Sequence, residues 1–463
     1  MNPRFEMPDN YYFGAGGETF ITPLAIGILL VATVFIFALP RKYVVVPLLI
    51  AGLLLPQNLN VIVFSLHFTI YRILLFVGWA RCLMRHEFVG RLNALDKAVL
   101  FWAVCNAVTF SLLWRQLGAV NNRLGYLYST LGAYFLLRAW IRNKAEVVLA
   151  TKTLAIIVII IAPFMLAEHF TRHNGFSLLG QPELANVREG SIRAEGPFEH
   201  AIIAGTFGAM LMPLFVGLWW QGKRNRLLVG LGIIGSTVMT IASASSTPLM
   251  AYASGVIGLF LWQARKRMRL FRWGVVGALI VIQLAMKAPI WFLIARVGGG
   301  MGGSGYHRAE LIDTFVRHFG EWWLIGTQNN ASWGYYMWDV DNAYVNAGIE
   351  GGLITFILFI AILIYAFKRV GRARRLAESS RKETHLVWAI GCSLFANLAA
   401  FFGIFYFDQS ILAWYTLLAM ASVTTGFVSQ KKPAELRLRT VDAGTEQPVS
   451  LDTGTSAGAF QNY

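Results

Sequence analysis

The chain has 463 residues, 56% of them hydrophobic and only 14% charged. Soluble domains carry about a quarter charged residues, so an ordinary soluble enzyme is excluded. Forty Lys and Arg against 24 Asp and Glu give a formal net charge of +16. Because these charges fall between apolar runs, they read as membrane topology and attraction to anionic lipid, and no nucleic-acid partner is expected. Cys82, Cys105 and Cys392 lie far apart in or beside apolar stretches, which leaves neither a disulfide framework nor a zinc site of paired cysteines.

A helix needs about 20 apolar residues to cross a bilayer core. Thirteen candidate runs follow one another at 20–40, 43–56, 60–80, 97–114, 124–141, 148–168, 201–220, 227–245, 247–264, 273–294, 345–367, 386–407 and 409–428. The second is short, and the third is interrupted by His67 and Arg72. The expected fold is therefore all-α, a polytopic membrane protein with twelve to thirteen transmembrane helices. The stretch before the first run holds Glu6, Asp9 and Glu18 and lacks a basic n-region, so a removable signal peptide is not expected. Segments 41–42, 81–97, 138–144, 223–226, 265–272, 368–382 and 431–439 hold 28 of the 40 Lys and Arg. With thirteen crossings all seven fall on one face, which puts the C-terminus in the cytoplasm and the N-terminus outside.

Four regions follow: an N-terminal bundle over 1–168, a membrane region carrying two long outer loops over 169–367, C-terminal helices over 368–429 and a tail over 430–463. The tail lacks apolar periodicity and reads as disordered. Segments 169–200 and 295–344 are long, polar and on the outer face, and long loops in a compact domain tend to carry function.

The first of these loops ends in Ser191-Ile192-Arg193-Ala194-Glu195-Gly196-Pro197-Phe198-Glu199-His200, directly before an apolar helix. Arg193 and His200 thus stand near a helix N-terminus, where an anion is favoured; pairing of Arg193 with Glu195, with His200 as a cap, is the plainer alternative. The second loop carries a glycine-rich run, then Tyr306-His307-Arg308. Leu311, Phe315 and Phe319, with Ile312, Val316 and Trp323, recur at helical spacing and predict an amphipathic helix lying at the membrane surface. That loop ends in Asp341-Asn342-Ala343-Tyr344, with Glu350-Gly351-Gly352 after it. Glu350 lies about a turn and a half into an apolar helix, where a charge must face protein or a hydrated cavity. Ser243-Ala244-Ser245-Ser246-Thr247-Pro248 makes a hydroxyl-rich turn on the same face, or a site of close helix packing.

In this order the motifs resemble the O-antigen ligase and O-antigen polymerase superfamily of bacterial envelope proteins, across about residues 190–365 in motif and the whole chain in architecture. The resemblance implies a multi-pass protein of the bacterial inner membrane. Its reaction would be a metal-independent, inverting glycosyl transfer at the periplasmic face, with no cofactor. The donor would be a glycan on undecaprenyl pyrophosphate, and the acceptor a lipid-linked repeat or lipid A core; membrane lipids and a chain-length regulator are further implied partners. Arg193 and Arg308 match the family's arginines for the pyrophosphate, and His200 matches the histidine of its first motif. In the ligase branch the second loop ends in a His-Asn-x-Tyr pattern whose His is the proposed base. Here that position is Asp341, which points to a polymerase or exopolysaccharide branch with Asp341, or else His307, taking the proton.

The chemistry agrees with those residue types. Arginine stabilises charge on a departing diphosphate bidentately and keeps its own charge, and a carboxylate or neutral imidazole can accept the acceptor's proton. Asp339, Glu310 and Glu321 compete with Asp341 for that role. Tyr306, Trp338, Asn342 and Tyr344 are candidate glycan contacts, with an interfacial aromatic belt as the alternative for the rings. Arg72, inside an apolar run, is expected to face protein and to reach the pyrophosphate or Glu350, unless it snorkels. A transporter or flippase of lipid-linked saccharide is the competing class; it would call for mid-membrane charges and repeat symmetry.

Overall fold

The computed structural model describes residues 19–63, 66–188, 190–298, 304–407 and 409–429. The acidic N-terminal stretch, positions 299–303 of the glycine-rich run and the tail 430–463 lie outside the described residues. Helices α1 (Pro23–Ala38) and α2 (Val45–Leu54) precede a hairpin of β1 (Asn60–Val63) and β2 (Leu66–Thr69), then α3 (Ile70–Arg85), α4 (Ala94–Trp114), α5 (Leu117–Trp140) and α6 (Lys144–Thr171). A second hairpin, β3 (Asn186–Arg188) with β4 (Ser191–Arg193), leads to α7 (Ala201–Leu218), α8 (Arg226–Ala242), α9 (Ser246–Phe260) and α10 (Met268–Ala285). The short α11 (Leu293–Gly298), α12 (Ser304–Arg317) and α13 (Phe319–Trp322) come before α14 (Ala343–Leu376), α15 (Arg381–Ala400), α16 (Ser410–Val423) and α17 (Gly426–Ser429).

The chain is mostly helical, and among the described residues six helices are long and apolar enough to cross a membrane: α4, α6, α7, α8, α10 and α14. Three shorter apolar helices, α1, α9 and α16, accompany them. The expected count of thirteen spans is thus not reached by length and composition. Helix α2 has ten residues, about 15 Å at 1.5 Å per residue, half a bilayer core. Helix α5 is long but diluted by Asn121, Asn122 and Arg123. The expected third span also changes: Asn60–Val63 and Leu66–Thr69 pair as antiparallel strands, Asn60 opposite Thr69, and helix begins only at Ile70. Val61, Ile62 and Val63 are β-branched residues that favour a strand.

Helix α7 forms the centre, buried along almost its whole length and packed against α6, α8, α9 and α15. Small residues permit that approach. A Cβ on Gly205 would stand 2.7 Å from Pro248 Cγ, and one on Gly208 3.0 Å from the Ser236 carbonyl oxygen. Several arginines of the basic segments are drawn into ion pairs with little exposure. Arg81 pairs with Glu87 at 2.7 Å and Arg138 with Asp96 at 2.9 Å.

Helix α14 is broken at Gly352, whose φ of +75° departs from the helical region. The segment after α13 enters the gap: Leu353 N–H donates to the Trp323 carbonyl at 2.8 Å, and Thr327 N–H donates to the Ile349 carbonyl at 2.9 Å. A Cβ at Gly352 would lie 2.7 Å from the Leu324 carbonyl carbon, so the segment Leu324-Ile325-Gly326 and the Glu350-Gly351-Gly352 motif form one joint. Leu311 and Phe315 of α12 bury into a small core with Trp322, Met337, Val345 and Ile349, whereas Val316, Phe319 and Trp323 are exposed. The helix is therefore amphipathic, with its apolar face turned to protein.

Candidate functional site

Four separate pieces of chain meet around the Ser243–Pro248 turn. The β3–β4 hairpin carries Arg193 at its end, opposite Asn186. The next amide, Ala194 N–H, donates to the Ala242 carbonyl at the end of α8, 3.0 Å away. That bond sets the hairpin beside the turn, and Arg193 Nη2 donates to Ser245 Oγ at 2.8 Å. From the other loop, Arg308 shares the buried face of α12 with Leu311 and Phe315, and its Nη1 donates to Ser246 Oγ at 3.0 Å. Both arginines are buried, 6% and 4% exposed, and the Nε of each has no partner among the described residues.

The turn itself is held under constraint. Ala244 adopts φ +45°, a left-handed conformation costing a non-glycine residue about 1–2 kcal/mol. Ser245 Oγ donates to the Ser243 carbonyl at 2.8 Å, so both serines are presented in sequence to the two guanidinium groups. The fourth piece is the turn after α15, where Thr247 Oγ1 donates to the Gly403 carbonyl at 3.3 Å. Gly403 leaves room for Arg308, because a Cβ there would stand 2.7 Å from Arg308 Nε.

A third arginine, Arg188, is missing from the sequence expectations. It lies on β3, and strand alternation puts it on the same face of the hairpin as Arg193. Burial lowers the pKa of Arg193, and the charge of Arg188 adds to the effect against Glu195 and Asp341. Burial likewise lowers that of Arg308, where Asp341 opposes Arg188 and Arg193. Buried cations in mutual repulsion are unstable alone, and an anion would relieve them.

Asp341 interacts electrostatically with all three arginines. Burial pushes its pKa up to about 6, with Asp339 adding to the rise and Arg308, His307 and Arg188 opposing it. Its neighbour Asn342 is wholly buried and caps α14, its Oδ1 accepting from Tyr344 N–H at 2.9 Å and Val345 N–H at 3.1 Å. The Tyr344 hydroxyl donates to the Leu398 carbonyl at 2.9 Å. Asn342 and Tyr344 thus do structural work inside the bundle rather than opening toward the arginines. Tyr306 and Trp338 are 60% and 49% exposed, open to a partner. His307 Nε2 lies 3.3 Å from the Asp339 carbonyl oxygen.

His200 caps α7: its Nδ1 accepts from Ile202 N–H at 3.3 Å. Burial, Arg193 and Arg188 lower its pKa to about 4, so the ring is neutral near pH 7, with its proton on Nε2. A neutral imidazole in this tautomer offers a donor, not a base. Glu195, absent from the expected set, rises to about 7 through burial and the nearby Glu168, against Arg193. Glu168 fixes the loop by accepting from Glu195 N–H at 3.0 Å and Gly196 N–H at 2.9 Å.

Arg72 is not brought to this cluster. Its Nε donates to Ser129 Oγ at 3.1 Å and its Nη1 to the His67 carbonyl at 2.8 Å. The expected contact with Glu350 is replaced: Glu350 pairs with Arg123, Nη2 to Oε1 at 3.0 Å. Among the described residues no three His, Cys, Asp or Glu side chains gather as a metal site. Compared with protein-family models and with curated proteins, the chain matches none.

Proposed function

We propose that the chain is a glycosyltransferase of the bacterial inner membrane. It moves a glycan from undecaprenyl pyrophosphate to a sugar hydroxyl at the periplasmic face, as an O-antigen or exopolysaccharide polymerase. The observation that carries this reading is the convergence of Arg193 and Arg308 on Ser245 and Ser246, with both Nε groups buried and without a partner among the described residues. Two guanidinium groups with spare donors suit a diphosphate, whose oxygens accept several charge-assisted bonds at once. In this reading the N-terminus is periplasmic and the C-terminus cytoplasmic, from the sidedness of the basic segments.

The step is a direct displacement. The acceptor hydroxyl oxygen bonds to the anomeric carbon while the bond from that carbon to the phosphate oxygen breaks, inverting the centre. The electron pair leaves with undecaprenyl pyrophosphate, whose charge Arg193 and Arg308 stabilise. The hydroxyl proton passes to the Asp341 carboxylate, a transfer worth about 10²–10⁴-fold. Asp341 fits this role better than His200, whose Nδ1 is occupied by the helix cap.

The test is glycan assembly by the purified protein in lipid nanodiscs, supplied with a lipid-linked repeat. Chains longer than one repeat support polymerisation. Transfer only to lipid A core indicates the ligase alternative, and movement of the lipid across the bilayer without new linkages indicates a flippase.

A further inference from the structure

Helix α10 stands apart from the bundle. Every other helix of membrane-spanning length has between 39% and 94% of its apolar stretch buried, whereas α10 has 0%. One side of α10, from Val276 to Leu284, lines an open groove whose other wall is Ile290, Trp291 and Ile294 with Phe402. The groove is apolar, and the two side chains that bring polar atoms to it bond within the chain. Gln283 Oε1 accepts from Ile290 N–H at 2.8 Å, and Trp291 Nε1–H donates to Asp313 Oδ1 at 3.2 Å.

The foot of the same helix is strongly cationic. Arg265, Lys266, Arg267, Arg269 and Arg272 fall within eight residues that hold no Asp or Glu. Among the described residues none of the five pairs with a carboxylate, in contrast to Arg81 and Arg138. Arg269 and Arg272 are exposed. Positions 269, 272, 276, 279, 280 and 283 recur every three or four residues and so share one stripe of the helix, which puts these two arginines on the side that lines the groove. Arg272 Nε donates to the Met268 carbonyl at 3.2 Å, a bond that draws the guanidinium toward the start of the helix and away from the apolar depth. From Arg272 to Leu284 the helix rises about 18 Å, close to the roughly 15 Å of hydrocarbon in one leaflet.

We infer that α10 holds one anionic phospholipid, with the phosphate on Arg269 and Arg272 and an acyl chain along the groove. Any unpacked helix in a bilayer meets lipid tails; the cations at its foot make the contact selective, because each Lys or Arg at the membrane surface adds attraction to an anionic headgroup, and the arginine fork matches phosphate oxygens. A protein helix fits this groove less well. Close helix packing in membranes uses small residues, and Gly274 and Gly277, which have open space around them, fall off the stripe that lines the groove. A second copy meeting the first by this foot would bring like charges together. The site takes no part in the proposed glycosyl transfer and does not depend on it.

The test is native mass spectrometry of the full chain, stripped of lipid in detergent and supplied with phosphatidylglycerol and phosphatidylcholine bearing the same chains. We expect one phosphatidylglycerol to be retained with about tenfold preference. Arg269→Gln combined with Arg272→Gln should weaken its binding about 30-fold, the share of two cations, whereas Lys223→Gln combined with Arg224→Gln, an equal loss of charge at another basic turn, should leave it unchanged. Leu279→Trp, which fills the groove, should release the lipid; Ala278→Trp, on the other side of α10, should not. Since α10 has no buried residue, these substitutions leave the bundle intact. Equal retention of the two lipids, equal effects of the two charge variants, or binding indifferent to Leu279→Trp overturns the inference. So does displacement of phosphatidylglycerol by an equal amount of undecaprenyl phosphate, which would give the groove to the donor's chain, and so does a dimer that Leu279→Trp dissolves.

Discussion

Arg193 and Arg308 reach consecutive hydroxyls, Ser245 and Ser246, from loops on either side of them in the chain. Neither guanidinium is neutralised at this contact, since a hydroxyl supplies a dipole and no charge. If a diphosphate completes the site, Arg193→Ala and Arg308→Ala should each reduce polymer output by about 10²–10³-fold, the loss expected for one donor to a developing anion. Arg→Lys variants should recover little, because an ammonium lacks the planar fork. Polymer on gels, normalised to protein in the membrane, is the measurement; near-normal polymer in either alanine variant counts against the site.

Gly403 offers a subtler probe of the same geometry. Its backbone does not require glycine, but an added Cβ would crowd Thr247 Oγ1 and stand 2.7 Å from Arg308 Nε and 3.0 Å from Cζ. Gly403→Ala should therefore displace the guanidinium without breaking the bundle. A displacement near 1 Å costs on the order of 10²-fold in rate, so activity should fall while the melting temperature changes little. A large fall in melting temperature would instead make Gly403 a packing residue.

Asp341 makes the pH dependence specific. Its carboxyl is held at about 6, chiefly by burial, and only the deprotonated form can accept the acceptor's proton. The value of kcat/KM should rise about tenfold per pH unit below 6 and level off above it. A bound diphosphate adds negative charge near the carboxyl and raises its pKa further, so the midpoint in kcat should lie above that in kcat/KM. Asp341→Asn should remove the limb and about 10²–10⁴ of the rate. A profile unchanged in Asp341→Asn would assign the proton transfer elsewhere, with Glu195 the next carboxyl to examine.

How much of this was visible in the sequence depends on whether the cause was local. Long apolar runs and the α12 stripe declare themselves because span length and helical period are properties of neighbouring residues. Arg193, Arg308 and the serine turn were recognisable as three motifs, but only folding brings their side chains together. Arg188 is not legible in one dimension, because a three-residue strand is too short to show alternation. The apolar run 60–80 concealed a hairpin, since a run of Val, Ile and Phe suits either structure and periodicity alone does not separate them. Asn342 and Tyr344 look like ligand-facing polar residues in one dimension, yet helix capping and a buried carbonyl claim them.

Glu350 shows the limit most plainly, since an acidic residue in an apolar helix demands a partner without saying which. The partner is Arg123, 6% exposed, which also bonds Asn106 Oδ1 at 3.1 Å and stacks over the Phe110 ring at 3.5 Å. These extra contacts make the two halves of the pair unequal. Arg123→Met leaves a carboxylate without its cation and should lower stability by about 3 kcal/mol, the low end for a broken buried pair, because Glu350 retains 26% exposure. Glu350→Gln should cost less, since Arg123 keeps Asn106 and the ring. The double variant also loses the Asn106 and ring contacts but leaves no uncompensated carboxylate, so it should cost less than the sum of the two single variants by a coupling above about 1 kcal/mol, whereas Arg72→Ala paired with Glu350→Gln should add without coupling. Thermal unfolding of the six proteins, wild type included, measures both cycles. Coupling to Arg72 and none to Arg123 would mean that α5 and α14 are not joined by this pair, and that the half-helix following Asp341 is held in some other way.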